Sequence, residues 1–122
     1  MSTAALVVAI AFLGGVAAVG RFVIDALVQR RKLGEFPLGT LTINLSGSLV
    51  LGFLSGIGVG GNAALLAGTA TLGSYTTFST WMFEAHRLVE DGELRLGGAN
   101  LGLSLVAGLA AIAIGHAVGA LT

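Results

Sequence analysis

Four long apolar stretches, at about residues 4–28, 36–59, 63–88 and 96–121, account for most of this chain. Each is long enough to cross a hydrocarbon core, which takes about 20 predominantly apolar residues. The connections between them are too short to hold a soluble domain. The expected fold is an all-α membrane protein, a single domain over residues 1–122 with four transmembrane helices. Charge content agrees: 10% of the 122 residues are charged, against about 25% in soluble domains, and the mean hydropathy is +0.95. The first stretch lacks the basic leading segment of a signal peptide and exceeds that peptide's apolar core of roughly 7–15 residues. It is read as a mature helix.

Such a chain works inside the bilayer or at its surface, which excludes most enzymes. It has no cysteine, so disulfides and thiolate metal sites are ruled out. His86 and His116 fall in different helices with no partner at metal-ligand spacing, and are read as packing or interfacial residues. A net charge of zero gives no reason to expect nucleic acid as a partner. Membrane lipid is the expected surrounding.

Charge also sets an orientation. With four crossings, the connection after the first helix and the one after the third share a side. Arg30, Arg31 and Lys32 lie in the former, and Arg87 and Arg95 flank the latter. The turn at 60–62 and both terminal segments carry no Lys or Arg. The positive-inside rule therefore makes the charged loops cytoplasmic and turns both termini outward. Glu35, Glu90, Asp91 and Glu93 share the charged side, but acids count for little in that rule. The expected location is the cell inner or plasma membrane, in one orientation.

Glycine is dense within the helices, at 14, 15 and 20 in the first, 39, 47, 52 and 56 in the second, and 97, 98, 102, 108, 115 and 119 in the fourth. Little hydrophobic force drives helices together in lipid, and small residues act there by letting backbones approach. Close packing is the one role assigned to them. In the second helix Thr40, Asn44, Gly47 and Ser48 recur at spacings of three and four and share a face. An amide in hydrocarbon needs partners, so Asn44 should face protein or a wet path, either as glue between helices or as part of a polar track. Asn100, Ser104 and Gly108 repeat the spacing in the fourth helix and suggest a second track.

The third helix carries Gly73-Ser74-Tyr75-Thr76-Thr77-Phe78-Ser79-Thr80-Trp81 at the middle of its span. Glycine and threonine are poor helix formers, and hydroxyls compete for backbone hydrogen bonds. The helix should break near the bilayer midplane, where irregular backbone is tolerated only if buried in protein or lining a water-filled cavity. Freed carbonyls there can bind a cation, and freed N–H groups and hydroxyls can meet an anion. A kink filled by back-bonding Ser and Thr is the plainer reading. The ring edge of Phe78, which carries partial positive charge, adds attraction for a small anion. Arg21 lies within the first helix one turn before Asp25, with which it can pair. It reads as a lure for an anion, a structural anchor, or a side chain that snorkels to the interface.

Three segments together resemble the Fluc (CrcB) family of fluoride channels: Gly14-Gly15-Val16-Ala17-Ala18-Val19-Gly20-Arg21-Phe22, Gly39-Thr40-Leu41-Thr42-Ile43-Asn44-Leu45-Ser46-Gly47 and Thr76-Thr77-Phe78-Ser79-Thr80. The match runs through the helices in order over nearly the whole chain. The resemblance implies an antiparallel dimer with two narrow pores and a structural sodium ion at its centre, held by backbone carbonyls at the helix breaks, here those of Gly73 and Thr76. It also implies that fluoride passes an amide and a phenylalanine pair, with hydroxyls completing the track. Asn44, Thr77, Phe78, Ser79, Thr80 and Ser104 match those roles. The sequence departs from the family in two respects. Trp81, bulkier and bearing an N–H, stands at the second aromatic position, with Phe83 two residues further on and pointing elsewhere on the helix. The charge bias also contrasts with family members that insert both ways, so the dimer partner is either the chain itself or an inverted homologue.

The function implied is passive fluoride export, with no phosphate-binding loop to suggest an ATP-driven step. A small four-helix proton-coupled cation exporter is the alternative from another class. It needs a deep carboxylate, whereas Asp25 and Glu84 lie near helix ends. A non-conducting partner subunit of a heterodimeric channel is a third reading.

Overall fold

In the computed structural model, which describes residues 1–30 and 36–122, there is no strand among the described residues. The elements in order are α1 (Thr3–Gln29), α2 (Leu38–Gly56), α3 (Gly61–Ala64), a π-helical segment (Leu65–Leu72), α4 (Gly73–Tyr75), α5 (Ser79–Glu90) and α6 (Leu94–Leu121). Among the described residues, α1, α2 and α6 are each long and apolar enough to cross a membrane. The stretch expected to form the third crossing is helical but divided among the middle pieces, with Thr76, Thr77 and Phe78 between α4 and α5. Arg31, Lys32 and Glu35, on which part of the charge bias rests, lie outside the described residues.

Local chemistry sets the ends of these elements. Ser2 Oγ accepts the Ala5 N–H at 3.1 Å, satisfying one of the amide donors that the start of α1 leaves open. Pro37 immediately precedes α2, where its restricted φ and missing N–H do no harm. After α2, Gly58 has a φ of 78°. Its N–H bonds to Ser55 O and that of Val59 to Leu54 O, each at 3.1 Å, the paired bonds with which a left-handed glycine closes a helix. Gly92 repeats the device after α5, with φ 80° and bonds from Gly92 N–H to Val89 O and from Glu93 N–H to Leu88 O. The chain thereby reverses directly into α6.

Burial is inverted relative to a soluble protein. Val8, Phe12, Val19, Phe22, Val106 and Leu109 stand exposed on α1 and α6, while the largest fully buried side chains are Ile43, Asn100 and Thr40. Apolar groups outside and polar groups inside suit a lipid solvent, which leaves a polar side chain no partner except protein. α2 and α6 meet backbone to backbone. A Cβ at Gly52 would lie 2.2 Å from Ile112 O, one at Gly56 2.3 Å from His116 O, one at Gly115 2.1 Å from Leu49 O, and one at Gly119 2.4 Å from Phe53 O. The close-packing role expected of glycine holds at these four positions. It does not account for Gly15, Gly20, Gly98 and Gly102, around whose Cβ positions nothing lies within 4 Å.

Candidate functional site

The hydroxyl-rich run is where the helix breaks. Upstream, Leu65–Leu72 has already widened to π-helical turns, with the Thr71 hydroxyl donating to Leu66 O at 2.7 Å. Thr76 is then fully extended, at φ −78° and ψ 161°. Two N–H groups that would carry an unbroken helix onward are diverted. Thr77 N–H, due at the Gly73 carbonyl, donates to Asn44 Oδ1 at 2.8 Å. Thr80 N–H, due at the Thr76 carbonyl, donates to Thr77 Oγ1 at 3.2 Å. The Gly73 and Thr76 carbonyls thus lose their helical donors.

Asn44 on α2 clamps this break. Besides accepting the Thr77 N–H, its Nδ2 donates to Thr77 O at 2.8 Å. A flipped amide would set donor against donor and acceptor against acceptor, so Thr77 fixes the orientation. The second Nδ2 hydrogen makes no hydrogen bond among the described residues. Gly47, one turn on, makes the approach possible, since a Cβ there would sit 2.3 Å from Thr76 Cγ2. Below the break, Ser46 Oγ and Tyr75 Oη are 2.9 Å apart. Ser46 donates to Ile43 O, so the tyrosine hydroxyl is the donor between them.

A cavity of about 540 Å³ opens on the clamp. α2 contributes Asn44, Gly47, Ser48 and Leu51, and the π-helical segment contributes Gly68, Thr69 and Leu72. Gly73, Thr76, Thr77, Phe78 and Trp81 line it at the break, and Ser104, Leu105, Gly108, Leu109 and Ile112 line it from α6. None of these side chains carries a charge. Of the polar tracks read on the second and fourth helices, Asn44, Gly47, Ser48, Ser104 and Gly108 face this space, whereas Thr40 and Asn100 lie off its wall. Phe78 is 68% exposed, and its ring meets that of Trp81 edge to face, with centroids 5.6 Å apart and planes at 81°.

Trp81 is tied down at both ends. Its indole N–H donates to Asn100 O at 2.9 Å, and Asn100 Nδ2 donates to Trp81 O at 3.2 Å. The N–H that distinguishes tryptophan from phenylalanine is thus engaged by the protein. Asn100 is fully buried, and its Oδ1 accepts from Ser104 Oγ at 3.4 Å.

Other residues singled out in the sequence lie apart from this cavity. Ser79 and Thr80, in the first turn of α5, lie off its wall, as do Arg21 on α1 and the exposed Phe83 further along α5. The Arg21–Asp25 pair does not form, and His86 contacts Glu90 on an exposed face. Gly39 leaves room for the Asp25 carboxylate to turn toward α2 instead, where a Cβ would lie 1.9 Å from Asp25 Oδ1. That oxygen is buried and has no hydrogen-bond partner among the described residues. His116 Nδ1 lies 3.2 Å from Ser55 Oγ. Sequence reasoning missed the Tyr75–Ser46 contact, the hydrogen bond from Thr40 Oγ1 to Glu84 Oε1, and Thr69. Thr69 stands two turns before Thr76, a spacing that could have marked it.

An all-helical chain with outward apolar faces and an uncharged polar cavity beside a broken helix belongs to the class of polytopic membrane channels and transporters. Within that class, residues 8–116 match the CrcB-like family, described as camphor resistance, and the chain belongs to that family. It is 54% identical to fluoride-specific ion channel FluC 2 of Mycolicibacterium paratuberculosis, over 95% of each chain. It is 47% identical to FluC 2 of Mycobacterium tuberculosis, over 93% of this chain and 90% of that one. A fluoride-specific ion channel FluC 1 of Leifsonia xyli is 39% identical, over 84% and 88%. The resemblance read from the three sequence segments is borne out.

Proposed function

We propose that this chain is the pore-forming subunit of a fluoride channel that lowers cytoplasmic fluoride by passive export, and not an enzyme. The observation that carries the reading is the cavity wall: neutral donors beside aromatic rings, with no carboxylate and no ammonium or guanidinium among the described residues that line it. Asn44 turns its oxygen to Thr77 and keeps one N–H unused among the described residues, so the clamp offers a donor to an anion. The ring edge of Phe78 offers a second, weaker one. A cation exporter would need a carboxylate on that wall, and Asp25 and Glu84 stand off it.

The assembly proposed is an antiparallel dimer, with Arg21 outside the immediate ion path and Asn44, Thr77, Phe78, Trp81 and Ser104 along it. Ser79 and Thr80 complete the path from the same broken helix once a second subunit is in place. The Gly73 and Thr76 carbonyls would hold a structural sodium ion. They fit one: both have lost their helical N–H donors, and neutral main-chain oxygens suit a hard cation. Among the described residues no group of three or more His, Cys, Asp or Glu competes for a metal. Bound there, the cation would supply charge to hold the broken backbones together.

The physiological logic is acid trapping. HF crosses membranes uncharged, dissociates in a near-neutral cytoplasm and leaves the anion inside. An inside-negative potential, worth about 2.3 kcal/mol per charge per 100 mV, drives it out through an open pore. The test is a fluoride-electrode efflux assay on liposomes holding this chain alone, reconstituted from detergent so that subunits meet in both orientations. Fluoride should leave faster than chloride under a potassium-driven potential. Equal leak of the two anions, proton-coupled cation uptake, or no flux at all would sink the reading.

A further inference from the structure

The geometry points to Asn100 as a positioning residue that turns the Trp81 indole N–H away from the ion path and holds the ring as a wall against Phe78. The inference rests on the fluoride-channel reading where flux is measured, and on the structure alone where the indole is observed. Three features carry it. First, the two hydrogen bonds between Trp81 and Asn100 run in opposite directions and use different atoms of each residue: indole N–H to Asn100 O at 2.9 Å, and Asn100 Nδ2 to Trp81 O at 3.2 Å. Such a pair fixes both the ring and the stretch of α5 that bears it. Second, Asn100 is 0% exposed, so its amide has no water to turn to if Trp81 leaves, and a buried unpaired amide is strongly disfavoured. Third, Trp81 is the aromatic neighbour of Phe78, which is otherwise 68% exposed in the cavity.

The consequence is specific. An indole is larger than a phenyl ring and carries a strong donor, so a loose one in this cavity would obstruct the path and capture an anion. Held by Asn100, its N–H faces the main chain of α6 and only its carbon framework meets Phe78. Asn100 thereby lets a tryptophan serve as an aromatic wall. Its own amide does not touch the ion.

The test uses the full chain in liposomes and exploits the fact that Trp81 is its one tryptophan, so that every indole signal reports on this site. Asn100→Leu, similar in size and without the amide, should lower fluoride flux about tenfold and raise acrylamide quenching of Trp81 fluorescence. Trp81→Phe keeps an aromatic edge on the wall, and its flux, whatever its level, is the reference for the double variant. Trp81→Phe should also rescue Asn100→Leu, since the ring that Asn100 restrains is gone and the two effects are then non-additive. A loss in Asn100→Leu that persists in the Trp81→Phe background would overturn the assignment, and so would wild-type flux and quenching in Asn100→Leu. If Asn100→Leu alone gives no intact protein, the wild-type indole N–H resonance decides. It should exchange slowly with solvent and stay in place as fluoride is added, whereas a shift that saturates with fluoride would make Trp81 an ion ligand and end the proposal. A wild-type chain that passes no fluoride would defeat the channel reading, and quenching and the indole resonance would still judge the restraint.

Discussion

Asn44 and Phe78 do different work at the break, and their surroundings show why. Asn44 shares two hydrogen bonds of 2.8 Å with the Thr77 backbone, so any substitution there also strips a part-buried peptide group of partners, at about 1–3 kcal/mol. Flux lost with Asn44 would not separate structure from permeation. Phe78 is the cleaner probe, because its exposed ring packs mainly on Trp81 and little of the fold depends on it. Phe78→Ile should abolish fluoride efflux while the elution of the protein in size-exclusion chromatography stays that of the wild type, since an aliphatic group has no positive ring edge. Unchanged efflux would remove Phe78 from the path. Both residues were legible in the sequence, Asn44 as an amide that lipid cannot satisfy and Phe78 as an aromatic within a helix-breaking run. The indole partner of Trp81 was not legible, because the acceptor is a main-chain carbonyl and no side-chain pattern announces it. The Arg21–Asp25 pair was suggested by spacing alone, and the space left by Gly39 drew the carboxylate elsewhere.

α2 and α6 form the rigid wall against which the broken third crossing is held. Gly115 shows what that wall requires: an added Cβ would stand 2.1 Å from Leu49 O and 2.9 Å from Phe53 N, against backbone that cannot swing aside. Gly115→Ala should therefore destabilise the detergent-solubilised protein by about 1–3 kcal/mol, read as a lower thermal unfolding midpoint. Gly102→Ala, with nothing within 4 Å of its Cβ, should leave that midpoint unchanged or raise it, as alanine is the better helix former. If Gly115→Ala unfolds like wild type, the helices do not meet as described. The break itself was visible in the sequence because five Ser and Thr residues crowd into 74–80 beside Gly73. The π-helical turns before it were not, since Leu65–Leu72 is an ordinary apolar run and only the packed structure imposes the wider turn. Where the freed Gly73 and Thr76 carbonyls hold sodium, prolonged and complete removal of that ion should reduce fluoride flux, and its return should restore it. Flux indifferent to sodium would count against the cation and leave the break to be held by Asn44 alone.

The proposed antiparallel dimer and the charge bias of the sequence pull in opposite directions. An antiparallel dimer needs subunits of both orientations, whereas Arg30, Arg31, Lys32, Arg87 and Arg95 all lie on one side of the predicted topology and the turn at 60–62 carries no basic residue. Near-balance of Lys and Arg is what lets a chain insert both ways, and this chain is far from it. If the bias governs insertion, few inverted copies of this chain exist in a cell, and an inverted homologue with the opposite bias has to be co-produced to complete the pore. If helix packing overrides the bias, copies insert both ways and the chain pairs with itself. The turn that distinguishes the outcomes is well placed for a probe: Gly60 and Gly61 have nothing within 4 Å of their Cβ positions, and the natural chain has no cysteine to interfere. Gly60→Cys is the better substitution, because Gly61 has a φ of 59° that a side chain would strain. Intact cells producing only this chain, treated with a membrane-impermeant maleimide, should show near-complete labelling of Gly60→Cys. That result means one orientation and an obligatory inverted partner. Labelling of about half the molecules, the value for unbiased insertion, would overturn the orientation reading and restore the homodimer.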